Sequence, residues 1–285
     1  INLIVVHADT IVFEKAFVQV GRLFNIPSIV LLNGLAGKGI HPSVCPLSSD
    51  YILVFGEGSK KILMNLGLQE KKILVTGSPQ FDKYFDKKIL RNKKIEKGKI
   101  VFIVSGHPSK NPTPEVHLTK KIKKDIFRML FNALKKFPEY KLVIKGRKGW
   151  DMNNLPQIIA DQEKYNIDFV EEIDSIKLLS DAEIVITTNT TMALDALLLD
   201  KPTISIWFKN MERFSGYKES KAIKTVYNQK QLEKAIKEYL RRKDNLNKKE
   251  WLEYELFKLD GKSSERVANF ISKLILQNKE NGKKQ

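Results

Sequence analysis

The stretch from Ser180 to Ile206 reads Ser-Asp-Ala-Glu-Ile-Val-Ile-Thr-Thr-Asn-Thr-Thr-Met-Ala-Leu-Asp-Ala-Leu-Leu-Leu-Asp-Lys-Pro-Thr-Ile-Ser-Ile, and it decides the fold. Glu183 to Thr187 is a short β-branched apolar run, the pattern of a strand covered on both faces. A helix is expected next, with Met192, Leu194, Leu197 and Leu198 inward and Lys201-Pro202 as its stop. Thr203 to Trp207 reads as the following strand. Between the first strand and the helix stand Thr188, Asn189, Thr190 and Thr191. Free amides of a helix start, set among hydroxyls, suit an anion and above all a phosphate. The same residues also suit plain capping by Asn189 or Thr190, and local chemistry leaves both readings open.

The longer pattern resembles the nucleotide-diphosphate site of GT-B glycosyltransferases. It is most similar to the branch holding CDP-glycerol glycerophosphotransferases, polysialyltransferase-like enzymes and UDP-N-acetylglucosamine 2-epimerase-like proteins. That branch has Ser-Asp, an apolar run, Thr-x-x-Ser/Thr-Thr, an acid four residues on, and Lys-Pro. The resemblance implies that Thr190, Thr191 and Asn189 hold the diphosphate and that Asp195 holds the ribose. Asp195 is shorter than the Glu common there.

The chain has 285 residues, 42% of them hydrophobic, with 15 Phe, which excludes a disordered protein. No run approaches the roughly 18 consecutive apolar residues of a membrane span, so a soluble, cytoplasmic chain is expected. Cys45 is the only cysteine, which leaves no disulfide framework and fits a reducing compartment. The His residues have no metal-site spacing, and no metal or cofactor is expected. The net charge of +17 is spread along the helices, often beside Glu. It suits solvated faces, an anionic substrate, or peripheral contact with an anionic membrane at its inner face. No nucleic-acid motif accompanies the charge, and nucleic acid is not expected as a partner.

The N-terminal part reads as a β-α-β unit: a strand at Leu3 to Val6, a helix at Val12 to Phe24 and a strand at Ser28 to Leu32. The helix carries Phe13, Ala16, Phe17, Val20 and Leu23 as an apolar stripe at helical spacing. Such units imply a parallel sheet with ligands at the C-terminal strand edges. The unit closes with Asn33-Gly34 where the family has His-Gly, so Asn33 and Gly34 are acceptor-side candidates by resemblance. Asp9 and Glu14 are the available bases. Gly77-Ser78-Pro79-Gln80-Phe81-Asp82 resembles the motif that ends the family's first domain, and the Lys-rich run that follows reads as a linker.

Ile100 to Val104 opens a second domain and ends in Ser105-Gly106-His107, a loop that the resemblance sets against the donor phosphates, with His107 as acid or electrostatic partner. Gly146-Arg147-Lys148 stands where the family has Lys-x-His-Pro, and Arg147 and Lys148 can approach a diphosphate. Val170, at the end of a short strand, belongs by resemblance to the expected base pocket. Arg213, in a polar-aromatic loop, is a further phosphate candidate. Asp260 to Ala268 resembles the family's closing motif and reads as a helix start capped by Ser263 and Ser264.

The fold expected is α/β and GT-B-like, with two Rossmann-like parallel-sheet domains facing a cleft. Residues 1–86 form the first, expected to lack N-terminal β-α units; 87–99 are the linker; 100–285 form the nucleotide-binding domain, its final helices returning toward the first. The expected activity is glycosyl or glycerophosphate transfer from a UDP-, CDP- or CMP-conjugate to a polysaccharide or lipid-linked acceptor of the cell envelope. The alternatives are a UDP-N-acetylglucosamine 2-epimerase and a noncatalytic nucleotide-sugar-binding protein. Epimerases of the family carry several acids and a His in the cleft, a set that Asn33 and Gly146-Arg147 thin out.

Overall fold

The computed structural model describes residues 1–8, 12–36, 46–86, 98–104, 120–146, 166–188, 190–207, 220, 222–241 and 247–282. They fall into two compact units: Ile1–Ile89 with Leu252–Gln285, and Leu90–Trp251. Residues 252–285 cluster with the first unit.

In the first unit, β1 (Ile4–Val6), α1 (Val12–Leu23), β2 (Ser28–Leu31), β3 (Tyr51–Val54), α2 (Glu57–Asn65) and β4 (Ile73–Val75) succeed one another. The four strands form a parallel sheet in the order β1-β2-β3-β4, and a 3-10 helix at Pro79–Phe85 follows. Alternate strand residues point to opposite faces. Val6, Val30, Ile52 and Val54 pack with Val18 and Leu63 of α1 and α2 on one side.

The second unit contains β5 (Lys99–Ile103), α3 (Lys120–Leu134), β6 (Lys141–Lys145), β7 (Ile167–Val170), α4 (Ser175–Asp181), β8 (Ile184–Thr187), α5 (Met192–Leu198), β9 (Thr203–Ile206), β10 (Lys224–Val226) and α6 (Gln229–Leu240). Its sheet is parallel throughout, in the order β10-β9-β8-β5-β6-β7. Numbered within the unit, this is the doubly wound order 3-2-1-4-5-6, with its topological switch point between β5 and β8. Ile100, Phe102, Ile144, Ile184, Ile186, Ile204 and Ile206 pack against α3 and α6. The opposite face meets α4 and α5, which bury Leu178, Leu179, Leu194 and Leu197. Both faces are covered, so these strands read as unbroken apolar runs in the sequence.

Two helices close the chain, α7 (Lys248–Leu256) and α8 (Ser263–Gly282). Val267 and Leu274 of α8 pack on Ile29 and Leu53, and Phe270 meets Tyr51 edge-on at 5.3 Å, so α8 covers the other face of the four-stranded sheet. No helix among the described residues is long and apolar enough to cross a membrane.

The apolar stripe of α1 is exposed among the described residues. Phe13 and Phe17 are 78% and 67% exposed, and Val12, Val20 and Leu23 are exposed with them. Only Val18 and Gly21 are buried. Among the described residues β1 is an edge strand, and α1 meets the sheet along one narrow side. At Gly21 the approach is so close that a Cβ would collide with Ile4 Cδ1.

Candidate functional site

The switch point of the second sheet is where β8 ends in Thr187 and the chain turns into α5. Ser205 Oγ, on the adjacent β9, donates to the Thr188 carbonyl at 2.9 Å and ties the turn to the sheet. Thr190 Oγ1, one residue before the N-cap position, accepts from the Met192 amide at 3.4 Å. The Thr190 and Thr191 carbonyls accept from the amides of Ala193 and Leu194 at 3.1 and 2.9 Å. Thr191 stands at the N-cap position without a side-chain capping bond, half-buried, and its hydroxyl has no hydrogen-bond partner among the described residues. Asp195 lies one turn further along the same helix face and is also half-buried. Below the turn, the buried Thr187 Oγ1 and Trp207 Nε1 have no hydrogen-bond partner among the described residues. The edge is thus polar at its base as well as its rim.

The helix buries Ala193, Leu194, Ala196 and Leu197. Met192 and Leu198, expected inward, are only half-buried, because Ala193 and Ala196 bring the backbone close to the sheet. Lys201 does more than end the helix. It is buried, and its Nζ donates to the carbonyls of Ser180 and Ala182, the latter at 2.9 Å. The ammonium thereby satisfies the carbonyl end of α4 and holds the two flanks of the turn together. This accounts for the spacing from Ser-Asp to Lys-Pro.

Val170 ends β7 at the same sheet edge, two strands from β5. Its carbonyl accepts from Gly146 N at 3.1 Å, and Lys145 Nζ reaches the carbonyls of Gly146 and Glu171 at 2.7 and 2.5 Å. Ser105, Gly106, His107, Arg147, Lys148, Asn189 and Arg213 lie outside the described residues, as does Asp9.

In the first unit Glu14 opens α1, and its carboxylate is already engaged. Oε1 lies 2.5 Å from His7 Nδ1, and Oε2 accepts from Ala8 N at 3.1 Å. Beside this pair a cavity of about 400 Å³ is lined by Val5, Val6, His7, Leu31, Leu32, Asn33, Ser78, Pro79 and Gln80. Asn33 is exposed at the end of β2, and Gly34 is half-buried beyond it. The loop is fixed further on, where Ser59 Oγ accepts from Ala36 N at 3.1 Å. Sequence reasoning weighed His7 only as a metal ligand, and the pairing with Glu14 came only with the fold. Among the described residues no group of three or more His, Cys, Asp or Glu side chains could hold a metal ion.

The two motifs at the ends of the first unit turn out to bind each other. Asp82 accepts from the amides of Ser263 and Ser264 at 2.9 and 2.7 Å and caps α8. Burial raises the Asp82 carboxyl, but the amides and hydroxyls of Ser264 and Ser263 outweigh it and hold the group below its ordinary value. Arg266 donates from Nε to the Thr76 carbonyl at 2.7 Å, pairs with Asp260 at 2.9 Å and lies over the Phe257 ring. The expectation that Ser263 and Ser264 cap their own helix is corrected: the cap comes from 181 residues upstream.

Two Rossmann-like parallel-sheet units, the second with a polar turn at its switch point, define a protein of the GT-B type. Solved structures carry the likeness. The UDP-GlcNAc 2-epimerase of Methanocaldococcus jannaschii, in complex with UDP-GlcNAc and UDP, matches with a TM-score of 0.68 at 21% identity, over 95% of this chain and 75% of that one. The UDP-GlcNAc 2-epimerase of Neisseria meningitidis bound to UDP-GlcNAc matches with a TM-score of 0.66 at 17% identity, over 95% and 76%. The wall teichoic acid polymerase TagF, soaked with CDPG, matches with a TM-score of 0.55 at 16% identity, over 88% and 67%. No curated protein matches the sequence. A family model described as UDP-N-acetylglucosamine 2-epimerase matches residues 43–272, most of the chain. The chain belongs to that family.

Proposed function

We propose that this protein binds a UDP-sugar of the UDP-N-acetylglucosamine class through its second unit and inverts the sugar at C2. Family membership favours this epimerase reading over transfer to an acceptor, the reading that the sequence motifs put first. The observation that carries the binding half is topological: the switch point between β5 and β8 meets a turn of three threonines and an asparagine. In sheets of this winding, ligands bind outside the carboxyl ends of the strands at that point. Thr190 and Thr191 would hold the diphosphate and Asp195 the ribose.

Magnitudes say which groups must contribute. A helix terminus contributes at most about 2 kcal/mol to an anion, whereas micromolar affinity requires about 8 kcal/mol. The hydroxyls, the base pocket near Val170 and cations such as Arg147, Lys148 and Arg213 must supply the rest. Ser105, Gly106 and His107, which follow β5 in the chain, belong to the same edge by sequence.

Calorimetry with UDP and UDP-GlcNAc tests the binding half. Thr190→Ala combined with Thr191→Val is expected to weaken UDP about 10- to 100-fold. Unchanged affinity removes the phosphate site. Proton NMR of UDP-GlcNAc incubated with the protein alone tests the chemistry, since an epimerase needs no acceptor. The second reading, nucleotide-dependent transfer, is favoured by the fold shared with the polymerase TagF. It would be preferred if UDP-GlcNAc stays unchanged until a polyol or saccharide acceptor is added.

A further inference from the structure

Two side chains that ordinarily carry a charge are buried among the described residues, Lys201 and Glu255. Lys201 is satisfied by the carbonyls of Ser180 and Ala182. Glu255, 8% exposed in the last turn of α7, has no hydrogen bond or ion pair among the described residues. Its surroundings are tight. A Cβ on Gly58 would lie 2.6 and 2.8 Å from its two oxygens, and one on Gly56 would lie 2.4 Å from the carbonyl oxygens of Tyr254 and Glu255. The last turn of α7 thus rests directly on the backbone that opens α2, an approach that the two glycines make possible.

The groups around the carboxyl do not favour its charge. On its own helix Tyr254 is raised by burial and then by Glu255 and Glu57, so the titratable neighbours on α7 and α2 are both acids. Lys60 of α2 pairs with Glu70, Arg266 of α8 is engaged by Thr76 and Asp260, and Lys258 lies over the Phe257 ring. The carbonyl end of α7 disfavours a negative charge and the amide end of α2 favours one, so the two helix ends offset. Burial is left as the deciding influence, and it pushes the carboxyl up to about 7. Directly after α7, Phe257 holds φ at 66°, a left-handed conformation uncommon for a bulky residue. Such strain lasts only while neighbouring contacts enforce it.

We propose that Glu255 is a proton-operated latch between α7 and α2. Protonated, it seats the last turn of α7 on Gly56 and Gly58; ionised, it is driven toward water and that turn leaves α2. The effect reaches the edge of the sheet, because Ser59, next to Gly58, accepts from the Ala36 amide and holds the loop that follows β2. In the open form the carboxyl meets water and titrates near 4.5, and in the closed form near 7. Below 4.5 both forms are protonated and the latch is at its tightest. Between the two values the open form gives up its proton first, so opening grows about tenfold per pH unit. Above 7 both forms are ionised, and the gain stops at about 300-fold.

Hydrogen exchange of the full chain between pH 4 and pH 8, read by mass spectrometry and corrected for the intrinsic rate at each pH, tests the latch. Residues 252–258, the first turn of α2 and the Ala36 amide are expected to be at least about tenfold less protected than β2 and β3, because the latch opens without the unit unfolding. Their protection is expected to fall about 300-fold across the range. Glu255→Gln keeps the shape and cannot ionise, and it is expected to hold the pH 4 protection at every pH. Protection equal to that of β2 and β3 overturns the latch, since α7 then leaves only when the whole unit unfolds. Protection that does not change with pH in the wild-type chain overturns it as well, and that measurement needs no variant. The wild-type slope persisting in Glu255→Gln assigns the response to another group and overturns it too.

Discussion

The turn after β8 and the frame of α8 are assembled in opposite ways. Every group described around the turn, from the Ser180 carbonyl to Ser205 Oγ, comes from one contiguous segment. The frame of α8 is non-local: Asp82 caps it, Thr76 receives Arg266, and the face it covers belongs to β2 and β3. A contiguous site is closed by local turns, whereas the first unit needs the far end of the chain before its sheet is covered. The two units should therefore lose stability independently, and the first should be more sensitive to single changes at its long-range contacts.

The largest effect is expected for Arg266→Ala. It removes the bond to Thr76, the pair with Asp260 and the stack on Phe257 together. A loss of about 4 kcal/mol is expected from a half-buried charged network. Chemical denaturation should then show an early transition of the first unit with the second unit unmoved. A single shared transition, shifted as a whole, would break the comparison.

Next comes Glu255, a buried carboxyl on α7 that faces the start of α2. A Cβ on Gly58 would lie 2.6 Å from Glu255 Oε2, so a larger residue there would have to displace the carboxyl. Burial raises the carboxyl from 4.5 to about 7. Below pH 4.5 the group is protonated whether the chain is folded or not. Between 4.5 and 7 the unfolded chain gives up its proton first, so stability falls as pH rises, and above 7 the loss is complete at about 3 kcal/mol. Glu255→Gln is expected to recover most of that above pH 7 and to change nothing below 4.5. Urea titrations at pH 4 and pH 8 decide it, and equal gains at both would exclude ionisation as the cause.

The smallest contrast lies within α1. Val18→Ala opens the close packing of the helix on β1 and should cost about 2 kcal/mol. Phe13→Ser, on the exposed stripe, should stay within about 0.5 kcal/mol. Equal losses at the two positions would mean that the stripe is covered in solution.

Much of the second unit was legible because its signals are local. β-branched runs mark strands that are buried on both faces, and the threonines of the turn stand next to the helix they start. Lys201 shows the limit of that legibility. Its position announced the helix stop, but its burial against Ser180 and Ala182 needed the fold. The α1 stripe had the period of a core face, yet period says only that residues share a side, not that anything lies against it. His7 and Glu14 were separately visible, but no spacing rule says that the imidazole meets the carboxylate.

The amino-acid sequence by itself determined the alternation of strands and helices, the parallel character of both sheets and the hydroxyl-rich turn. Those depend on local preference and on periodicity, which a linear chain displays directly. Tertiary structure decided the strand order that makes the β5–β8 edge a switch point, the capping of α8 by Asp82, and the pairing of His7 with Glu14. Each of these joins residues through space, and the energy of such contacts depends on distances that exist only once the chain has folded.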